Sequence, residues 1–336
     1  MLGFAVFGVG IELIGITASK IIVKWFNGRS LALAMGLNVA AGRIGTGIAL
    51  LGAYPYAKWM GSVSAPLALC LVMLVIGLLS FLVFVMMDRK ADRELAAENK
   101  LNKVEAAPDE KFKFRDIWSI ARLRGFWYIA FMCVLFYSAV FPFLKFVNSF
   151  LIQKFGIDPS WAGALAFLVP FGNILLTPLF GNMYDRKGRG ATIMIIGSVM
   201  LIVVHTLFSV PMLTWWILAV VLMLTLGAAF SLVPSAMWPS VPKIIPFNKL
   251  GTAYSMIFWI QNWGLMGVPY LIGYVRNRFI TGEMLLDGEM VPTYDYTYVM
   301  MIFAGFGILS LLVGLLLKRE DARKGYGLEL PNNKEE

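Results

Sequence analysis

The chain has 336 residues, 59% of them hydrophobic and only 15% charged, with a mean hydropathy of +0.74 and a formal net charge of +9. Soluble domains lie nearer half apolar and a quarter charged, so this composition excludes an ordinary soluble protein and points to an all-α integral membrane protein. Two cysteines and one histidine leave no material for a disulfide framework or a metal cluster, and no cofactor is expected.

Windows of about 20 apolar residues predict nine membrane spans, at 3–26, 31–53, 65–87, 126–150, 161–183, 190–208, 215–238, 251–275 and 297–317. Met1 runs straight into apolar sequence with neither a basic n-region nor a cleavage site, so the first span reads as a helix entered partway through a protein rather than a signal peptide. It is joined to the second by the polar turn Asn27–Ser30, and each carries one mid-span charge, Glu12 and Arg43. The two lie at equal sequence distance from the turn and hence at matching depth. A charge at that depth costs at least ~2.5–3.5 kcal/mol and needs a partner or a wet cavity. Two readings stand: an ion pair locking two helices, or a site for a solute bearing both charges.

Cys70 and Cys133 lie inside apolar runs and are expected as small core residues; His205 is expected as a core or interfacial residue. Residues 88–125 form a mixed-charge linker that ends in the amphipathic piece FRDIWSIARL, suited to the membrane surface. The segment Arg276–Asp295, with Glu283, Asp287, Glu289 and Asp295, is expected as a solvated, hairpin-like external loop.

Lysine and arginine set the orientation. With the Asn27–Ser30 turn inside, 22 basic residues are cytoplasmic and only Lys58, Lys154, Arg276 and Arg278 lie outside, leaving Lys20, Arg43 and Lys145 within spans. This asymmetry accounts for the positive charge without nucleic acid. It places the C-terminus in the cytoplasm and the N-terminus outside. The absence of Asn-x-Ser/Thr sequons and of an evident sorting tail favours a bacterial plasma membrane over a lysosomal one.

The turn NGRSLALAMGL resembles NKLGTAYSMIF, matching Asn27 to Asn248 and Met35 to Met256. A three-helix repeat of this kind leaves spans four to six unpartnered and predicts three more helices before Met1. Spans 65–87, 190–208 and 297–317 are nearly free of polar groups and suit a lipid-facing position. The others carry Glu12, Arg43, Lys145, Asn148, Asn173, Gln261 and Asn262, as in a bundle with an aqueous pathway. Gln261 and Asn262 suit either the cavity or interhelical bonding, and Trp238, Trp259 and Trp263 either pocket walls or packing. Lys20 is read as snorkelling; for Lys145 snorkelling and a place in the cavity weigh equally.

The turn between spans five and six reads Gly181-Asn-Met-Tyr-Asp185-Arg186-Lys187-Gly188-Arg189. Its glycines permit close helix approach, Asp185 can cap a neighbouring helix, and the arginines can hold acidic partners. This G-x-x-x-D-R-x-G-R resembles the signature loop of the major facilitator superfamily, in its second-half copy. The resemblance implies two six-helix bundles that rock about a central cavity, with the present spans as helices 4 to 12. Phe7-Gly-Val-Gly-Ile-Glu12, Ala41-Gly-Arg43-Ile-Gly45, Ala139-Val-Phe-Pro-Phe143, Leu250-Gly-Thr-Ala-Tyr254 and Ile260-Gln-Asn-Trp-Gly264-Leu265 look like the branch that contains the lysosomal dipeptide uniporter. That branch implies passive dipeptide transport, Glu12 meeting the substrate ammonium and Arg43 its carboxylate.

The expected organisation is the remainder of an N-terminal bundle (1–87), the linker (88–125), a six-helix bundle (126–317) and a cytoplasmic tail (318–336). The expected function is transport of dipeptides or similar zwitterions by a monomer in the lipid bilayer, with Glu12, Arg43, Lys145, Gln261 and Asn262 at the substrate and Gly181, Asp185, Arg186, Gly188 and Arg189 as the gating motif. An organic-anion transporter using Arg43 and Lys145, and a non-transporting binding or sensing fragment, are the alternatives. No nucleophile–base set or phosphate-cradling loop suggests an enzyme.

Overall fold

Apolar runs of this length must satisfy their backbone N–H and C=O groups internally, which in hydrocarbon means helices. A computed structural model of the chain describes residues 2–26, 30–62, 64–101, 114–286 and 289–332. Every predicted span lies on a helix: α1 (Leu2–Phe26), α2 (Leu31–Met60), α3 (Ala65–Leu101), α5 (Arg124–Phe155), α6 (Pro159–Lys187), α7 (Gly190–Ser209), α8 (Trp216–Ile244), α9 (Leu250–Arg278) and α10 (Thr297–Lys324). A short α4 (Phe114–Ala121) precedes α5. Among the described residues, seven of the long helices are long and apolar enough to cross a membrane, and α2 adds the apolar stretch Leu31–Thr46. The Asn27–Arg29 turn, residues 102–113 of the linker, Asp287 of the external loop and residues 333–336 of the tail lie outside the described residues.

The chain divides into two compact units, residues 1–44 with 112–336, and residues 45–111. In the first, α6 packs on α8, α7 on both α8 and α10, and α5 on α9 and α10. Small residues set these approaches. A Cβ on Gly172 of α6 would lie 3.3 Å from the backbone of Gly227 of α8, and one on Gly307 of α10 would lie 2.8 Å from Ile202 of α7. Ser198 and Ser310 hydrogen-bond across the α7–α10 contact at 2.9 Å. An aromatic cluster of Phe143, Phe150, Phe208 and Phe303 fills part of this core, with His205 edge-on to Phe143 at 5.3 Å. His205 is thus a buried core residue.

Helix α8 carries Pro234, Pro239 and Pro242. Each proline removes the bond to the carbonyl four residues earlier. Two of the freed carbonyls are taken by neighbouring helices. Asn173 of α6 donates Nδ2 to the Phe230 oxygen at 2.8 Å, and Tyr254 of α9 donates its hydroxyl to the Trp238 oxygen at 3.3 Å.

The segment between α9 and α10 holds an antiparallel pair, β1 (Ile280–Leu286) and β2 (Glu289–Tyr294), as its hairpin-like reading expected. Gln153 of α5 anchors it, accepting from the Tyr294 N–H at 3.0 Å and donating to the Pro292 oxygen at 3.1 Å. On the other side α4 buries Ile120 and exposes Phe114 and Trp118. Lys249 holds it through Asp116 at 3.5 Å and Ser119 at 2.8 Å.

The segment after α10 is docked rather than trailing. Helix α7 begins with backbone donors that lack intrahelical partners. The Arg189 and Gly190 N–H groups donate to the carbonyls of Glu329 and Leu328 at 2.9 and 2.8 Å, and the Thr192 N–H donates to the Glu329 carboxylate at 2.9 Å. Lys243 donates to the Gly327 and Leu330 oxygens at 2.9 and 2.7 Å, and Leu328 is fully buried.

In the second unit, α3 leaves its apolar side chains exposed, Leu71, Met73 and Leu79 among them. Cys70 is exposed with them, which corrects its expected place in a core; Cys133 is buried as expected. An apolar run looks the same whether lipid or protein surrounds it, so sequence alone does not separate the two cysteines.

Candidate functional site

Within the first unit, α1, α2, α5, α8 and α9 line a half-open cavity of about 350 Å³. Its wall is apolar and aromatic, with Ile11, Met35, Tyr137, Phe141, Trp238 and Phe258, and its polar contributions come from Ser19, Asn38, Arg43 and Gln261. Volume and lining suit a small-molecule site.

Arg43 dominates the charge of this cavity. Its guanidinium lies 5.0 Å from the ring centres of both Phe141 and Phe230. The ring faces attract the cation and hold it in place. Among the described residues no carboxylate pairs with it. The Glu12–Arg43 ion pair, one of the two sequence readings, is therefore not formed. Glu12 instead accepts a hydrogen bond from Asn262 Nδ2 at 2.9 Å, joining α1 to α9. A guanidinium set among apolar helices without an anion is costly. An anionic ligand relieves that cost.

The neighbours Gln261 and Asn262 divide the two roles open to them. Gln261 lines the cavity and accepts at Oε1 from the Cys133 thiol at 3.1 Å, whereas Asn262 bonds between helices. Lys145 lies exposed on α5, one turn beyond Pro142, and is not among the residues that line the cavity. Of the three tryptophans considered as walls, Trp238 lines the cavity and stacks on Phe258 at 5.0 Å, while Trp259 and Trp263 are exposed. Tyr137 escaped the sequence reading. An aromatic residue in an apolar run carries no mark of facing a cavity. Its oxygen accepts from Trp238 Nε1 at 3.1 Å.

The turn after α6 shows how its residues work together. Asp185 is buried, and its two carboxylate oxygens accept from the Ala32 N–H at 2.9 Å and the Leu33 N–H at 2.8 Å. It thus satisfies the first free donors of α2 and opposes a negative charge to the positive helix end. Gly181 and Gly36 make room for this. A Cβ on Gly181 would lie 2.4 Å from the Ala32 oxygen, and one on Gly36 2.8 Å from the Thr177 oxygen. Gly188 has φ +67° and sits against the Glu329 carbonyl, where no side chain fits. Arg186 and Arg189 are exposed, and Arg189 also takes a positive φ, 65°. Asn332 donates to Asp185 Oδ1 at 2.8 Å, so the docked C-terminal segment reaches the same carboxylate.

The sequence pattern of the Major Facilitator Superfamily matches residues 1–269. The chain belongs to this superfamily. With its long apolar helices it is a multi-pass integral membrane protein of a transporter family. The chain is 29% identical over 338 residues to the lysosomal dipeptide transporter MFSD1 of Bos taurus, covering 100% of this chain and 68% of that protein. Against the protein of the same name from Danio rerio it is 30% identical over 340 residues, covering 98% and 67%. For that of Homo sapiens the values are 28% over 330 residues, 97% and 66%. The chain thus spans about two thirds of the length of these curated relatives. Among solved structures, a crystal structure of the nucleoside transporter NupG aligns with a TM-score of 0.47 at 16% identity, covering 91% of this chain and 86% of that one.

Proposed function

We propose that the protein carries dipeptides or similar small zwitterions across its membrane as a uniporter, by alternating access. The observation that carries this reading is the Arg43 guanidinium, held by Phe141 and Phe230 in a cavity of ligand size without a carboxylate of its own. It takes the substrate carboxylate, for which its planar fork is suited. Glu12, one residue from the cavity wall at Ile11, takes the ammonium by exchanging its bond with Asn262. Gln261 contributes a polar contact from the wall. The Asp185 cap on α2, with Gly181, Gly188 and the two arginines, serves as the cytoplasmic gate. The likeness to lysosomal dipeptide transporters supports the substrate class. Action as a monomer and residence in a bacterial plasma membrane belong to the same proposal, checked by sizing in detergent and by membrane fractionation.

A second reading keeps the fold and takes organic anions. It is favoured by the cavity wall, which presents a cation and no carboxylate, and it gives Lys145 a part in attracting the anion. Uptake into liposomes containing the protein separates the two. On the first reading a labelled dipeptide enters and Arg43→Gln abolishes its entry. Uptake of N-acetylated dipeptides in preference to free ones establishes the second.

A further inference from the structure

We infer that Tyr137 is a second donor to the substrate carboxylate, beside Arg43, and that Trp238 holds it in that role. The inference rests on the reading of Arg43 as the carboxylate site and adds a residue that sets specificity.

The argument begins with the hydrogen bond between Trp238 Nε1 and the Tyr137 hydroxyl, at 3.1 Å. An indole nitrogen only donates, so the phenol oxygen must be the acceptor. A phenol O–H prefers the plane of its ring. The incoming indole N–H takes one in-plane side of the oxygen and leaves the other to the hydroxyl proton. Among the described residues that proton meets no acceptor. Tyr137 is only 6% exposed, and a buried donor left without an acceptor is costly. Yet Tyr137 lines the cavity. The missing acceptor is one the cavity's occupant brings.

Position says which part of the occupant. Tyr137 touches the two rings that hold Arg43: its ring centre lies 5.3 Å from that of Phe141 and 6.0 Å from that of Phe230. Guanidinium and phenol therefore converge on one end of the cavity. Two kinds of donor at one point suit a carboxylate, whose oxygens accept a bidentate fork and still have lone pairs for a third bond. A primary amide at the same place offers one acceptor oxygen and presents an NH2 to groups that themselves only donate. The pair thus selects free carboxylates over amides.

The test measures binding of three probes to the purified protein: leucyl-alanine, its C-terminal amide, and N-acetyl-leucyl-alanine, which keeps the carboxylate and loses the ammonium. Tyr137→Phe is expected to weaken both acids by about tenfold or more, the usual size of one hydrogen bond to a charged group, and to leave the amide unchanged. Trp238→Phe keeps a ring but frees the phenol to turn. It is expected to weaken the acids by about threefold alone and by nothing further in the Tyr137→Phe background, the mark of two residues acting through one bond. Equal effects of Tyr137→Phe on acids and amide, or none on either, overturn the inference. Binding of the N-acetylated acid but not the free dipeptide sinks the dipeptide reading alone, because the acid still reports on Tyr137. Binding of neither acid by the native protein overturns both.

Discussion

Asn262 donates from Nδ2 to Glu12 Oε1 across 2.9 Å, tying α9 to α1 between residues 250 positions apart. The bond gives an intramembrane carboxylate a neutral partner rather than a cation. Glu12→Gln retains an oxygen to accept from Asn262 but is neutral. Thermal stability is expected to hold within about 2 °C, since a bond between membrane helices is worth only about 0.6 kcal/mol on average. Affinity for a free dipeptide is expected to fall by an order of magnitude while affinity for its N-acetyl derivative stays. Parallel losses for both ligands would remove Glu12 from the ammonium site.

Asp185 holds the first turn of α2 through two backbone donors. Removing a cap costs about 1–2 kcal/mol. Asp185→Ala is therefore expected to lower the melting temperature by a few degrees and to speed amide hydrogen exchange at Ala32 and Leu33. Exchange at the native rate in that peptide would show that α2 keeps its end without the carboxylate.

The glycines of α6 separate close approach from simple flexibility. Gly181 faces the Ala32 carbonyl at a distance no Cβ tolerates, whereas a Cβ on Gly163 would meet nothing within 4 Å. Gly181→Ala is expected to destabilise by about 1–3 kcal/mol, because backbone must move. Gly163→Ala is expected to be neutral or to stabilise by up to about 1 kcal/mol through helix propensity. Thermal melts of the two variants side by side check this, and similar values would contradict it.

Glu329 serves as a remote cap for α7, accepting from both the N–H and the hydroxyl of Thr192 and lying 3.9 Å from Lys318. Glu329→Ala is expected to cost about 1 kcal/mol and to expose the start of α7 to exchange. Lys318→Ala, which removes an exposed partner of Glu329 and a donor to Thr192 Oγ1 at 2.7 Å, is expected to cost less than half of that. Equal losses for the two variants would show that charge rather than capping holds the segment.

Much of this architecture is legible in sequence. Apolar windows place all nine long helices, and the G-x-x-x-D-R-x-G-R turn foretells that Asp185 can cap a helix. The gaps have physical reasons. Glu12 and Arg43 share a depth in sequence, but only packing shows that Glu12 turns to Asn262 and Arg43 to two phenylalanines. Tyr137 sits in a run where an aromatic residue reads as core, and among the three tryptophans that suit a wall or packing only the fold singles out Trp238. Residues 325–332 have no periodicity, and their docking depends on backbone donors left at the start of α7, which no pattern of side chains announces. The repeat between the turns at Asn27 and Asn248 relies on a turn outside the described residues.

The prolines of α8 carry one more consequence. Replacing a helical proline by alanine ordinarily restores a bond and stabilises. Here Pro234→Ala would return the Phe230 carbonyl to its own helix and strand Asn173, which is wholly buried and whose Oδ1 already lacks a partner among the described residues. The variant is expected to be less stable than the native protein, and Asn173→Leu to recover the loss, as a pair of melting curves would show. Asn173 and Tyr254 come from different helices, so straightening or bending α8 makes or breaks a bond to each neighbour at once. A change in the course of α8 would therefore disturb its bonds to α6 and to α9 together.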